Sequence, residues 1–149
     1  MLRMTTNRLQ KILLAYWLIV PILFYLYVGI TSFIQETSIQ QMLQVSPGIA
    51  LGNLLACLML FQAGIFFFVR RLSQSKNGLL GQFTFVAIPQ QLLTGNIIGA
   101  VLAFFLARSL NSGKEDATLQ TKIIFYFVLG FIFLFSCLTA FIAFRLRGA

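Results

Sequence analysis

The sequence contains no histidine and only three acidic residues, and charged residues make up 9% of its 149 positions. Soluble globular domains usually have about a quarter of their residues charged. With 59% hydrophobic residues and a mean hydropathy of +0.91, this chain lacks the polar residues that a water-facing surface needs. We therefore expect an all-α, polytopic integral membrane protein that forms a single membrane domain over residues 1–149.

The missing residue types also limit the chemistry. Without histidine, the chain has no histidine-based acid–base catalyst, no bis-histidine haem site and no conventional zinc site. The carboxylates of Glu36, Glu115 and Asp116 fall in predicted loops, so no acid is expected to carry protons inside the membrane. Cys57 and Cys137 are isolated, and we expect buried free thiols. The sequence predicts no enzyme, no catalytic residue, no metal and no cofactor.

The net charge of +8 does not indicate a nucleic-acid partner, because the basic residues lie in small groups at the ends of apolar runs. Membrane topology and anionic lipid headgroups explain this pattern, and membrane lipids are the partners it predicts. The first apolar run is too long for the core of a signal peptide and lacks a small-residue cleavage site. We expect it to be retained as the first membrane span.

Four apolar runs, at residues 12–33, 49–69, 83–106 and 123–144, are each long enough to cross about 30 Å of hydrocarbon. They predict a four-helix bundle with short loops. Under this arrangement, the basic residues on the N-terminal side are Arg3, Arg8, Lys11, Arg70, Arg71, Lys76, Arg145 and Arg147. The other side carries Arg108, Lys114 and Lys122. The positive-inside rule then predicts that both termini are cytoplasmic, in a bacterial-type inner membrane or an equivalent energy-transducing membrane.

The segment between the first two spans contains two helix-start signals. Thr37 followed by Gln40 matches a capping box and predicts a short helix. Ser46 and Pro47 are typical of a cap and first turn, and they predict where the second span begins.

The stretch 83–105 is apolar enough to cross a membrane but contains several polar residues near its middle, which need partners or water in hydrocarbon. A helical wheel places Gln91, Gly95 and Gly99 on one face, which we expect to pack against small residues of the second span. The paired steps Gly52-Asn53 and Gly95-Asn96 suggest a hydrogen bond between the two asparagines. The candidate helix-packing or solute site comprises Pro89, Gln90, Gln91, Thr94, Gly95, Asn96, Gly99, Asn53 and Gly52.

This polar face has three interpretations: packing between helices, a pathway for an ion or neutral solute, or a contact with lipid or pigment. Packing leads to our first expectation, a non-enzymatic accessory, assembly or stabilising subunit bound in the membrane to a larger partner or to copies of itself. The alternative is a small transporter or channel for an ion or neutral solute, with its site on the third span.

Overall fold

The computed structural model describes residues 5–113, 115 and 117–148, which form six α-helices and no β-strand. The helices are α1 (Thr6–Ile34), α2 (Ile39–Val45), α3 (Pro47–Leu72), α4 (Leu79–Leu93), α5 (Ile97–Ser109) and α6 (Leu119–Gly148). Three of them, α1, α3 and α6, are long and apolar enough to cross a membrane. The all-helical class and the membrane character predicted from composition are confirmed.

The helix starts between the first two spans follow from local capping. Ser46 caps α3 by accepting a hydrogen bond from the backbone N–H of Ile49, and Pro47 occupies the first turn as expected. The capping box of α2 is Ser38 with Gln41, one residue later than predicted. Each of these two side chains accepts a hydrogen bond from the backbone N–H of the other residue.

The predicted third span is wrong as a single helix, because residues 83–106 are divided between α4 and α5. These helices have 15 and 13 residues and are separated by residues 94–96. At 1.5 Å per residue they are only about 22 and 20 Å long, short of the roughly 30 Å of a bilayer core. We call residues 94–96 the tip, and α4 with α5 the hairpin.

The hairpin begins and finishes at the same end of the molecule. The backbone N–H of Lys76, just before α4, donates to the carbonyl of Asn111, just after α5, at 2.8 Å. The hydroxyl of Thr6, at the start of α1, donates to the carbonyl of Ser109 at 2.8 Å. The loops on either side of the hairpin are therefore in contact, which corrects the expectation that they lie on opposite sides of the membrane.

The last helix, α6, starts at this same end, since the hydroxyl of Tyr126 donates to the side-chain carbonyl of Gln82 at 2.9 Å. It then runs parallel to α4 and finishes at the other end, where Tyr25 of α1 also contacts Asn53 of α3. The start of α1 and the finish of α6 thus lie at opposite ends, contrary to the expected placement of both termini together. We call the end that holds the start of α1 the basic end.

Aromatic rings fill the core between the basic end and the middle of the molecule. Trp17 is fully buried and meets Phe66 edge-on, with ring centroids 5.4 Å apart, and Phe83 at 6.1 Å. Phe66 and Phe83 are in turn 5.8 Å apart and are themselves 0% and 2% exposed. We call these three residues the aromatic plug, which joins α1, α3 and α4.

The two cysteines differ from the expectation of buried thiols, because both are exposed on the surface of their helices. The cause for Cys137 is the sparse cover of α6, whose most apolar stretch is only 17% buried. Cys57 lies on the outer side of α3, with its sulfur 3.2 Å from the hydroxyl of Tyr25.

Candidate functional site

The tip reverses the chain through a helix-ending motif followed at once by a helix-starting one. Gly95 has a positive φ of 75°, and its backbone N–H donates to the carbonyl of Leu92 at 3.0 Å. The backbone N–H of Asn96 donates to the carbonyl of Gln91 at 2.8 Å. These two bonds form a Schellman cap, whose left-handed position favours glycine. Asn96 then caps α5 by accepting from the N–H of Gly99 at 3.0 Å.

Three glutamines meet on the side of the tip that faces the basic end, and each is 1% exposed. Gln62 of α3 donates its amide to Gln90 of α4 at 2.9 Å. Gln91 donates to Gln62 at 2.6 Å and to Gln90 at 2.9 Å. We call Gln62, Gln90 and Gln91 the glutamine cluster. Its members satisfy one another, which removes most of the cost of burying amide groups.

Further hydrogen bonds extend the glutamine cluster to α1, α5 and α6. Tyr16 of α1 donates its hydroxyl to the side-chain oxygen of Asn96, whose amide donates to Gln91. On the other side, Gln90 donates to the hydroxyl of Ser136 at 2.9 Å. One continuous chain of side-chain hydrogen bonds therefore joins α1, α3, α4, α5 and α6.

The chemistry available to this network is limited to neutral hydrogen bonding. Its members are amides and hydroxyls, which can hold helices together or coordinate an uncharged or weakly hydrated group. Within the described part of the chain, no group of three histidine, cysteine or acidic side chains is placed to hold a metal ion.

The tip is flanked by two clefts. One, of about 280 Å³, lies between α1, α3 and the hairpin. Residues that line it include Tyr16, Phe24, Gly52, Gln91, Thr94 and Asn96. The second, of about 270 Å³, lies between α3, the tip and the last turns of α6, down to Arg147. Leu55, Thr94 and Gly95 line both clefts, so the clefts adjoin at the tip.

Most of the residues predicted for the third span do come together here. Gln90 and Gln91 belong to the buried cluster, and the tip consists of the other polar residues of that stretch with Gly95 between them. Gly99 packs so closely against the amide of Gln91 that a Cβ atom would collide with it. Pro89 lies apart, on the exposed side of α4, and the helix continues through it.

The two predicted residues of α3 do not join the site as expected. The side-chain oxygen of Asn53 accepts from the hydroxyl of Tyr25 at 3.1 Å, whereas Asn96 is engaged by Tyr16 and Gln91. The proposed hydrogen bond between the two asparagines is therefore wrong. Gly52 permits close contact with the ring of Phe24 on α1, rather than with the backbone of the third predicted span.

Sequence reasoning missed three members of the network, namely Tyr16, Gln62 and Ser136. Each is a polar side chain inside an apolar run, and this shared feature is the sequence signal that could have linked them to the polar residues of the third span. Glycine followed by asparagine is compatible with one helix ending and the next beginning, but the same step at Gly52-Asn53 lies inside α3 and does not interrupt it.

At the basic end, Glu115 closes the base of the hairpin. Its carboxylate accepts a hydrogen bond from the backbone N–H of Gln74 at 2.9 Å. Hydrogen bonds from the Ser73 hydroxyl and from this N–H lower the pKa of Glu115 below its ordinary value. Asp116, the third predicted loop carboxylate, lies outside the described residues.

The fold and the site define an α-helical protein with three candidate membrane-spanning helices and a helical hairpin between the second and the third. Comparison with protein-family models, with curated proteins and with solved structures found no match.

Proposed function

We propose that this protein is a non-enzymatic accessory, assembly or stabilising subunit of a larger membrane complex. One observation carries the proposal: the buried amides of Gln62, Gln90 and Gln91 are used to hold helices together. Polar side chains that satisfy one another in this way act as interhelical contacts.

A second feature that supports a partner is the large uncovered surface of α6. Only 17% of its most apolar stretch is buried within this chain. Its exposed aromatic side chains include Phe127, Phe131, Phe133 and Phe144. A partner helix, or a second copy of this chain, can pack against this surface as well as lipid can.

We further propose three complete spans, with α1 starting in the cytoplasm and α6 finishing on the other side of a bacterial-type inner membrane. The described basic residues at the basic end are Arg8, Lys11, Arg70, Arg71, Lys76, Arg108 and Lys122. The opposite end carries Arg145 and Arg147. This asymmetry favours a cytoplasmic basic end.

The test is extraction of the tagged protein from its native membrane in mild detergent after crosslinking. We expect a partner, or a second copy, in a fixed ratio, and a lower yield of the complex with Gln91→Leu. Gln120→Leu is the matched control, because Gln120 is exposed at the start of α6. Recovery of the wild-type protein alone, as a monomer, would contradict the proposal.

A second candidate function is transport of an ion or neutral solute, favoured by the cleft of about 280 Å³ beside the tip. Amide and hydroxyl groups of Gln91, Thr94 and Asn96 line it. This candidate predicts solute flux in liposomes that contain the purified protein, and loss of flux with Gln91→Leu or Asn96→Leu. The accessory role predicts no flux from the protein alone.

A further inference from the structure

The chain reversal at the tip leaves backbone polar groups without a hydrogen-bond partner among the described residues. The Schellman cap satisfies the carbonyls of α4 up to Leu92, and the Asn96 side chain satisfies the N–H of Gly99. The remaining groups are the carbonyls of Leu93, Thr94 and Gly95 and the N–H groups of Ile97 and Ile98.

These groups lie deep inside the length of the long helices. Asn96 contacts Tyr16, and α1 continues from there to Ile34, about 27 Å further at 1.5 Å per residue. On the other side Gln90 contacts Ser136, and the tip lies about 6 Å beyond Gln90, so α6 continues for about 12 Å past the tip. The tip is therefore at membrane depth, well short of the end opposite the basic end.

Irregular backbone at membrane depth is tolerated where it is buried in protein or where it lines a water-filled cavity. Burial in this chain does not explain the tip, because Leu93 is 44% exposed and Ile97 and Ile98 are 66% and 62% exposed. The two clefts of about 280 and 270 Å³ adjoin at Thr94 and Gly95. Each cleft has room for several water molecules, which occupy about 30 Å³ apiece in the liquid.

Water cannot reach the clefts from the basic end, because the bundle is filled there. From the tip towards the basic end, the glutamine cluster comes first and the aromatic plug second. Trp17, Phe66 and Phe83 of the plug are at most 2% exposed. The hairpin also ends at the tip, so only α1, α2, α3 and α6 continue beyond it. The clefts are therefore closed towards the basic end.

We propose that the tip is the floor of a water-filled vestibule that is closed towards the basic end and open towards the end where α6 finishes. Water in this vestibule supplies the hydrogen bonds that the carbonyls of Leu93, Thr94 and Gly95 lack, because these residues line the clefts. This inference does not depend on the accessory role, because a subunit and a transporter could each contain such a vestibule.

The experiment is cysteine labelling in sealed vesicles with a membrane-impermeant methanethiosulfonate reagent. Cys57 and Cys137 are replaced by serine, and a C-terminal tag reports the orientation of each molecule. We expect Thr94→Cys to be modified to completion when the tag faces the reagent. Ser112→Cys, at the basic end, is expected to react only in the opposite orientation. Phe105 is 53% exposed on the outer side of α5. Phe105→Cys is therefore the lipid-facing control, which should not react from either side.

The control is informative because the reagent attacks the thiolate, which forms in water and not in hydrocarbon. Leu93→Cys provides a second position in case the first variant does not fold, since Leu93 lines the cleft next to α6. No modification at either position from either side would overturn the proposal and would indicate that lipid or a partner helix covers the tip. Modification from the basic end alone would also overturn it.

Discussion

Replacing Gly95 by alanine distinguishes a chain reversal from a continuous third span, because the two arrangements predict changes of opposite sign in the free energy of unfolding. Gly95 has a φ of 75°, and nothing lies within 4 Å of a Cβ atom added there. The only penalty is therefore the left-handed backbone, which costs an L-residue about 1–2 kcal/mol. The lower entropy of the unfolded chain with alanine offsets about 0.4–1 kcal/mol of this. We expect a net loss of about 1 kcal/mol.

A continuous helix through residue 95 leads to the opposite result. Glycine inside a helix is less favourable than alanine by about 0.8–1 kcal/mol, so Gly95→Ala would then be stabilising. The measurement is the free energy of unfolding in mixed micelles, followed by circular dichroism as the denaturing detergent is increased. Matched controls are Gly64→Ala in α3 and Gly130→Ala in α6, where an added Cβ atom also meets nothing within 4 Å.

We expect both control substitutions to be neutral or stabilising. Gly95→Asn should lower the free energy of unfolding less than Gly95→Ala does, because asparagine tolerates left-handed backbone. If Gly95→Ala stabilises the protein as much as the two controls do, the chain reversal at the tip is refuted.

Three further predictions follow from the hydrogen bonds. Gln91→Leu should reduce the free energy of unfolding by about 1–2 kcal/mol. A double-mutant cycle with Gln62→Leu should give a coupling free energy of about 0.5–1.5 kcal/mol. Strict additivity of the two substitutions would contradict the direct contact between Gln91 and Gln62. Asn53→Leu and Asn96→Leu should instead be additive within about 0.5 kcal/mol, because the two side chains have different partners. Because the pKa of Glu115 is lowered in the folded protein, its stabilising contribution is present at neutral pH and should be lost as the pH falls below the ordinary value of 4.5. A pH titration of stability should show this loss in the wild type but not in Glu115→Gln.

The sequence predicted the helical class and the three long helices because hydropathy over about 20 residues is a strong signal. It also predicted the start of α3, since Ser46 and Pro47 form a local cap. The hairpin was missed because residues 83–106 are continuously apolar, and hydropathy does not distinguish one long helix from two short ones. The Gly95-Asn96 step did not indicate the break by itself, because the same step at Gly52-Asn53 lies inside the continuous helix α3.

The candidate site was predicted in part for the same reason. Gln90, Gln91 and Asn96 could be recognised because they are polar in an apolar stretch. Their partners could not, because a partner depends on how the helices pack. Asn53 was paired with Asn96 on the assumption of two full-length antiparallel spans. The hairpin reverses before reaching Asn53, which bonds to Tyr25 of α1 instead.

The central claim is that α4 and α5 form a hairpin that returns to the basic end. The backbone hydrogen bond of 2.8 Å between Lys76 and Asn111 shows how close its two ends are. A single span over residues 83–106 would instead separate the flanking loops by about 36 Å.

The most direct test is the distance between two spin labels in the reconstituted protein, measured by double electron–electron resonance. The labels are placed at Asn77→Cys and Ser112→Cys, which are exposed positions in the two loops, with Cys57 and Cys137 replaced by serine. We expect a distance within about 20 Å, or two helix diameters. A distance above about 35 Å, as expected for one continuous span, would contradict the hairpin and the site built on it.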